Sequence, residues 1–158
     1  MKKLTPFLWF DDNLEEALAF YTSVFEDSTV VEVGRTGSAS TDPVFSATFR
    51  IHDQEFRAIN GGPHFRFNEA FALFVDCEDQ AEVDYLWGRL TEGGEPSQCG
   101  WLKDRFGLSW QIVPRRLVEL LGDPDPAAAT RVRDAMLAMR KIDVAALEAA
   151  RSGLTGPA

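Results

Sequence analysis

The sequence predicts an α+β fold. Two tandem β-α-β-β-β modules curl into a cupped mixed sheet, and a helical C-terminal tail follows them. Three observations predict this. An apolar, aromatic run from Leu4 to Phe10 leads directly into acidic residues and then a helical repeat of apolar side chains. The same order returns later: Val83, Leu86, Trp87 and Leu90 stand 66 residues (83 − 17) after Ala17, Phe20, Tyr21 and Val24. Three strand-like segments follow each helix, and beyond Pro114 only helical patterns remain.

Taken in order, Leu4 to Phe10 is a strand with Pro6 near its start. Asp11-Asp12-Asn13 supplies N-cap chemistry, and Glu15 and Glu16 favour the positive end of the helix dipole. The helix ends near Phe25. Strands are expected at Thr29–Val33, Val44–Ile51 and Glu55–Ile59, with a tight turn at His52-Asp53-Gln54. Asn60-Gly61-Gly62-Pro63 breaks the last of them and requires backbone at positive φ. The second module places strands at Ala70–Val75, Ser97–Cys99, Gly100–Asp104 and Leu108–Val113, and its helix opens on Asp76, Glu78 and Asp79. Helices are expected over Arg115–Leu121, Pro126–Lys141 and Val144–Ala150, with a frayed end from Ser152. The domain reading is therefore 1–113, in modules of about 1–62 and 63–113, plus an extension over 114–158.

Composition bounds the function. In 158 residues, 45% are hydrophobic and 26% charged, as in a globular chain. Sixteen basic and 25 acidic residues give a net charge of −9, which opposes nucleic-acid binding and a polybasic membrane anchor. No apolar run approaches the roughly 20 residues of a membrane helix. Leu4–Phe10 is too short for a secretory signal, and Asp11-Asp12 follows it without a cleavage site, so the chain reads as cytoplasmic. Cys77 and Cys99 form no C-x-x-C pair and read as idle thiols. The extension holds 7 basic and 6 acidic residues against 9 and 19 in the duplicated part. Being near neutral, it is the expected place for protein–protein contact.

Several strings resemble one family. They are Pro6-Phe-Leu-Trp-Phe-Asp, Ala19-Phe-Tyr-Thr-Ser-Val-Phe, Ile59-Asn-Gly-Gly-Pro-His-Phe, Leu73-Phe-Val-Asp-Cys, Gly100-Trp-Leu-Lys-Asp-Arg-Phe-Gly and Ser109-Trp-Gln-Ile-Val-Pro. With Met136-Leu-Ala-Met-Arg-Lys-Ile-Asp, they resemble the PhnB-like, "3-demethylubiquinone-9 3-methyltransferase" branch of the vicinal oxygen chelate superfamily, which includes glyoxalase I, bleomycin- and fosfomycin-resistance proteins and extradiol dioxygenases. The resemblance implies two half-cups enclosing a cavity, a homodimer, and in metal-dependent relatives a divalent ion held by His, Glu or Gln on the first and last strands.

The chain departs from that ligand pattern. Leu4–Phe10 contains no donor, and Gln111 stands where the relatives' Gly-x-x-x-Glu pattern ends. A catalytic metal wants about three protein ligands, so no metal and no cofactor is expected. The methyltransferase label implies S-adenosylmethionine, but Gly61-Gly62 leads to Pro63-His64 and not to a helix N-terminus. There remain His64, expected near the cavity mouth as the acid–base candidate, and a ligand-binding set of Trp9, Asn60, Phe74, Trp101 and Gln111. The function expected is metal-independent binding of a small apolar or aromatic molecule. The alternative is an enzyme assisted by His64 or by a metal at Gln111.

Overall fold

A computed structural model describes residues 4–154. The chain falls into two compact units, one ending at Phe67 and one beginning at Asn68. Each carries its own four-stranded mixed sheet.

The first unit runs β1 (Phe7–Phe10), α1 (Leu14–Val24), β2 (Ser28–Arg35), β3 (Val44–Ile51) and β4 (Gln54–Asn60). Its sheet order is β1-β4-β3-β2, with β1 parallel to β4 and the other pairs antiparallel. Alternation along the strands sends Leu8, Phe10, Ala47, Phe49, Phe56 and Ala58 to one buried face. The helical repeat of α1 buries Leu14, Ala17, Leu18, Tyr21 and Val24. Tyr21 stacks on Phe49 at 6.2 Å, and Phe49 on Phe56 at 5.3 Å. His52 forms the expected β3–β4 turn at φ 50°, with an exposed ring.

The second unit runs β5 (Ala72–Cys77), α2 (Gln80–Thr91), β6 (Glu95–Pro96), β7 (Trp101–Lys103) and β8 (Ser109–Pro114), in the order β5-β8-β7-β6. Again the first strand is parallel to the last. The duplication is therefore real at the level of topology. The helices begin 66 residues apart, at Leu14 and Gln80. The strands before them end 67 apart, at Phe10 and Cys77, so one extra residue separates strand from helix in the first unit.

Four elements differ from the sequence expectation. Strand β5 is Ala72–Cys77 and not Ala70–Val75, so Asp76 lies in the strand, and Asp79 caps α2 by accepting from the Glu82 amide. Leu4–Pro6 lies outside β1, and Leu4 is exposed. Ser97–Cys99 is a turn and not a strand; the strand pairing with β7 is Glu95–Pro96. The turn follows from backbone geometry, since Cys99 and Gly100 adopt φ 57° and 82° and cannot continue a ladder. Finally, the helix from Pro126 stops at Leu137.

Three helices close the described chain: α3 (Arg115–Leu121), α4 (Pro126–Leu137) and α5 (Val144–Arg151). Of the expected frayed end, 155–158 lies outside the described residues. Leu117, Leu120, Val132, Ile142 and Leu147 bury themselves against Val113 at the end of β8. Gln80 clamps the extension onto α2. Its Nε2 donates to the carbonyl of Ile142 at 3.0 Å, and its Oε1 accepts from the Val144 amide at 2.8 Å. Asp125 and Asp143 cap α4 and α5 by accepting from Ala127 and Ala146.

Candidate functional site

The strand register of the second unit brings three of the sequence-predicted residues together. Phe74 on β5 pairs with Gln111 on β8, and Gln111 pairs with Trp101 on β7. Directly paired residues share a face, so two aromatic rings flank one amide in a single row. Phe74 is 55% exposed, and Trp101 and Gln111 are half-buried. The opposite face carries Leu102, Trp110 and Ile112, all buried with Val83, Leu86 and Leu90 of α2. The helix thus seals one face and leaves the predicted row on the other.

A second row lies beside the first. Ala72, Ser109, Lys103 and Glu95 are paired in sequence across β5, β8, β7 and β6. Trp101, Lys103, Ser109, Glu95 and Glu69 line a cavity of about 450 Å3, together with the turn Ser97–Cys99. Lys103 Nζ lies 2.6 Å from Glu69 Oε1. That hydrogen bond holds the Glu69 carboxyl below its ordinary pKa and raises the Lys103 ammonium above its own, with Glu95 adding to the latter. Ser109 is only 1% exposed, and its hydroxyl has no hydrogen-bond partner among the described residues. Sequence reasoning missed Ser109, Lys103, Glu95 and Glu69. The period-two signal was present for the first two, since Ser109 precedes Gln111 and Lys103 follows Trp101 by two residues.

The cavity wall is held by the C-terminal extension. The Cys99 amide donates to the Met139 carbonyl at 2.8 Å, and the Gly100 amide to that of Arg140 at 2.7 Å. A Cβ on Gly100 would lie 2.8 Å from the Ile112 carbonyl oxygen, so glycine is required by space as well as by φ. Beneath the site, Asp104 anchors the β7–β8 hairpin. Its Oδ2 accepts from Trp110 Nε1 at 2.9 Å, and its Oδ1 accepts from the amides of Phe106 and Leu108 at 2.9 and 3.1 Å.

In the first unit the predicted residues Trp9 and Asn60 hold structure. Trp9 lies against Gly61, where a Cβ would sit 2.2 Å from the indole. Its Nε1 donates to the Gly62 carbonyl at 2.9 Å, and Phe65 packs edge-on at 4.9 Å. Gly62 has the positive φ expected of this turn, whereas Gly61 is needed for the room it leaves. Asn60 uses both ends of its amide: Oδ1 accepts from Leu14 N and Nδ2 donates to Val44 O, each at 2.9 Å. It therefore caps α1, a task expected of the run Asp11-Asp12-Asn13; the N-cap residue is Asn13, whose side chain makes no cap bond. His64 is exposed in the segment after β4.

Donor chemistry can be tested against the groups the resemblance implies. Among the described residues no three His, Cys, Asp or Glu side chains converge on one point. The donors present do not fit a three-ligand chelate site. S-adenosylmethionine fits no better. The turns from β1 to α1 and from β5 to α2 carry Asp11, Asp12, Glu78 and Asp79 and no glycine. The Gly61 and Gly62 amides are already donated to the carbonyls of Phe10 and Asp11.

The paired β-α-β-β-β units and their mixed sheets define a class: this is the vicinal oxygen chelate fold of the glyoxalase and bleomycin-resistance proteins. A solved structure of a PhnB protein from Bacillus cereus is 34% identical, with a TM-score of 0.65, covering 72% of this chain and 99% of its own. The family model for 3-demethylubiquinone-9 3-methyltransferase matches residues 2–113, and the chain belongs to that family. Two further structures share the fold. Protein PA1353 from Pseudomonas aeruginosa is 19% identical with a TM-score of 0.60, covering 72% of this chain and 98% of its own. The fosfomycin resistance protein FosX from Mesorhizobium loti is 17% identical with a TM-score of 0.50, covering 70% and 89%. No curated protein matches the chain.

Proposed function

We propose that this protein is a metal-independent small-molecule-binding protein, and that its ligand lies on the open sheet face of the second unit. One observation carries the reading: the register that sets Phe74, Gln111 and Trp101 in one row beside a 450 Å3 cavity. That volume suits a molecule of one or two rings. The rings of Phe74 and Trp101 offer apolar surface, and the Gln111 amide offers one donor and one acceptor to orient what binds. The test is titration of isotope-labelled protein with small aromatic compounds. Amide shifts should cluster on β7 and β8, and Trp101→Leu should abolish them. Shifts scattered over the surface, or unchanged by Trp101→Leu, refute the site. Stoichiometric zinc, manganese or iron in native protein refutes metal independence.

The same reading includes a cytoplasmic location and a homodimer. No helix among the described residues is long and apolar enough to cross a membrane. Strand β2 is a sheet edge with Val30, Val31 and Val33 exposed, surface that favours self-association. Sedimentation at micromolar concentration decides the dimer, and a monomer there refutes it.

A further inference from the structure

The duplication carries the row Phe74–Gln111–Trp101 back into the first unit. Phe7 stands three residues before the end of β1, as Phe74 does before the end of β5, and both are more than half exposed. Each pairs with a long polar side chain on the parallel last strand, Arg57 on β4 and Gln111 on β8. From Arg57 the pairing continues to Thr48 on β3 and Glu32 on β2. The row Phe7–Arg57–Thr48–Glu32 thus occupies the sheet face that α1 leaves open, and it sets a cation where the second unit has a neutral amide. A cavity of about 170 Å3 lies along it, with Ser46 and Gly34 from the neighbouring row. Gly34 keeps the Ser46 hydroxyl clear, since a Cβ there would lie 2.4 Å from it.

The charges of this row are not engaged within the fold. Arg35, on the same sheet, donates to the Asp42 carbonyl at 2.6 Å and to Glu15 at 3.1 Å. Arg57 and Glu32 make no ion pair or side-chain hydrogen bond with any described residue, and the hydroxyls of Thr48 and Ser46 make none either. In the adjoining row Arg50 and Glu55 pair in register, so that row is balanced in itself. Two strand spacings of about 4.8 Å separate Arg57 from Glu32, so the two side chains rise about 10 Å apart. Thr48, between them, is short and half-buried and forms the floor.

We infer that this cavity takes a short aliphatic zwitterion. Its carboxylate lies on the Arg57 guanidinium, its ammonium at the Glu32 carboxylate, and its methylene chain over Thr48. A ligand with a single charge satisfies one end of the row and leaves the other unpaired. The volume, below the roughly 300 Å3 of pockets for drug-sized molecules, excludes a larger ring system. The inference goes beyond the binding reading above. It adds a site in the other unit for a different class of ligand, and borrows only the register of the row.

Titration of the isotope-labelled full chain with three probes tests the inference. 4-Aminobutyrate, butyrate and butylamine share a four-carbon chain and differ in charge. Amides of β3 and β4 should shift with 4-aminobutyrate, which should bind about fivefold more tightly than either of the others. The preference should shrink in high salt. Arg57 and Glu32 are exposed, so their substitution leaves the fold in place. Arg57→Gln should weaken 4-aminobutyrate about fivefold and leave butylamine unchanged. Glu32→Gln should weaken 4-aminobutyrate about fivefold and leave butyrate unchanged. General damage to the cavity does not produce that crossed pattern. If butyrate or butylamine binds as tightly as 4-aminobutyrate, or if either variant weakens all three probes alike, the inference is overturned. If no amide of β3 or β4 shifts with any probe, the site itself is refuted. The aromatic compounds and Trp101→Leu report on β7 and β8, so a failure of the binding reading above is seen separately.

Discussion

Asp104 offers the sharpest test of how the site is held. It is 3% exposed, and its carboxyl oxygens accept from the Trp110 indole N–H and from the amides of Phe106 and Leu108. Asp104→Ala strands the indole N–H in a core position that is 1% exposed. A buried donor left unpaired costs about 1–3 kcal/mol, and each lost bond to a charged acceptor costs about 1.5 kcal/mol or more. The two turn amides recover part of that from water, so the expected loss is about 4 kcal/mol. That is a large share of the roughly 5–15 kcal/mol that stabilises a domain. Asp104→Asn should not rescue. An amide has one acceptor oxygen where the site needs two, and its NH2 faces a donor whichever way it turns. A loss of about 2 kcal/mol is expected. Urea unfolding of the two variants measures both values. In a Trp110→Phe background, which removes the indole donor, the cost of Asp104→Asn should fall by about 1 kcal/mol or more. If Asp104→Ala unfolds within 1 kcal/mol of the parent, or the cycle shows no coupling, the reasoning is refuted.

Other predictions follow from the same contacts. Gly61→Ala places a methyl group 2.2 Å from the Trp9 indole and should cost about 1–3 kcal/mol, read by denaturation together with a change in tryptophan emission; an unchanged spectrum contradicts the packing. Burial pushes the Cys77 thiol up from 9.0 to about 12, with Glu82 and Asp76 adding to the effect. The unfolded chain therefore releases its proton first, and stability should fall above pH 9 by up to about 1.4 kcal/mol per pH unit. Cys77→Ala should remove that alkaline slope even if it costs stability at neutral pH. At the acid end, Arg116 beside Glu148, Arg151 beside Asp123 and Lys141 beside Asp84 hold the three carboxyls below their ordinary values. Their contribution is complete above the unfolded values of 4.5 and 3.8 and is lost as pH falls from these through the lower folded values, so α5 amides should lose hydrogen-exchange protection on acidification before those of β8 do. Equal protection of the two elements through that range contradicts an ion-paired tail.

Sequence by itself determined what depends on near neighbours. Period-two and period-3.6 apolar patterns set most strands and all five helices, because a side chain's face follows from its place in the local repeat. The offset of 66 exposed the duplication, and the family strings carried the fold class. The row Phe74–Gln111–Trp101 was legible as three residue choices on three strands. Their alignment was not, because register is set by pairing between strands, here between residues 37 and 10 positions apart.

Tertiary structure decided what the polar groups do. Asn60 caps a helix that begins 46 residues earlier, a bond that its place at the end of a strand does not announce. Trp9 fills the space above Gly61, a contact between residues 52 positions apart. Ser109 reads as an ordinary strand residue, and only its burial without a partner marks it. Within the extension, the Met139 and Arg140 carbonyls accept from the amides of Cys99 and Gly100 on the wall of the cavity. In each case a polar atom's role depends on which distant donor or acceptor lies within about 3 Å of it. A repeat pattern specifies the face a residue occupies, and only the folded chain specifies its partner.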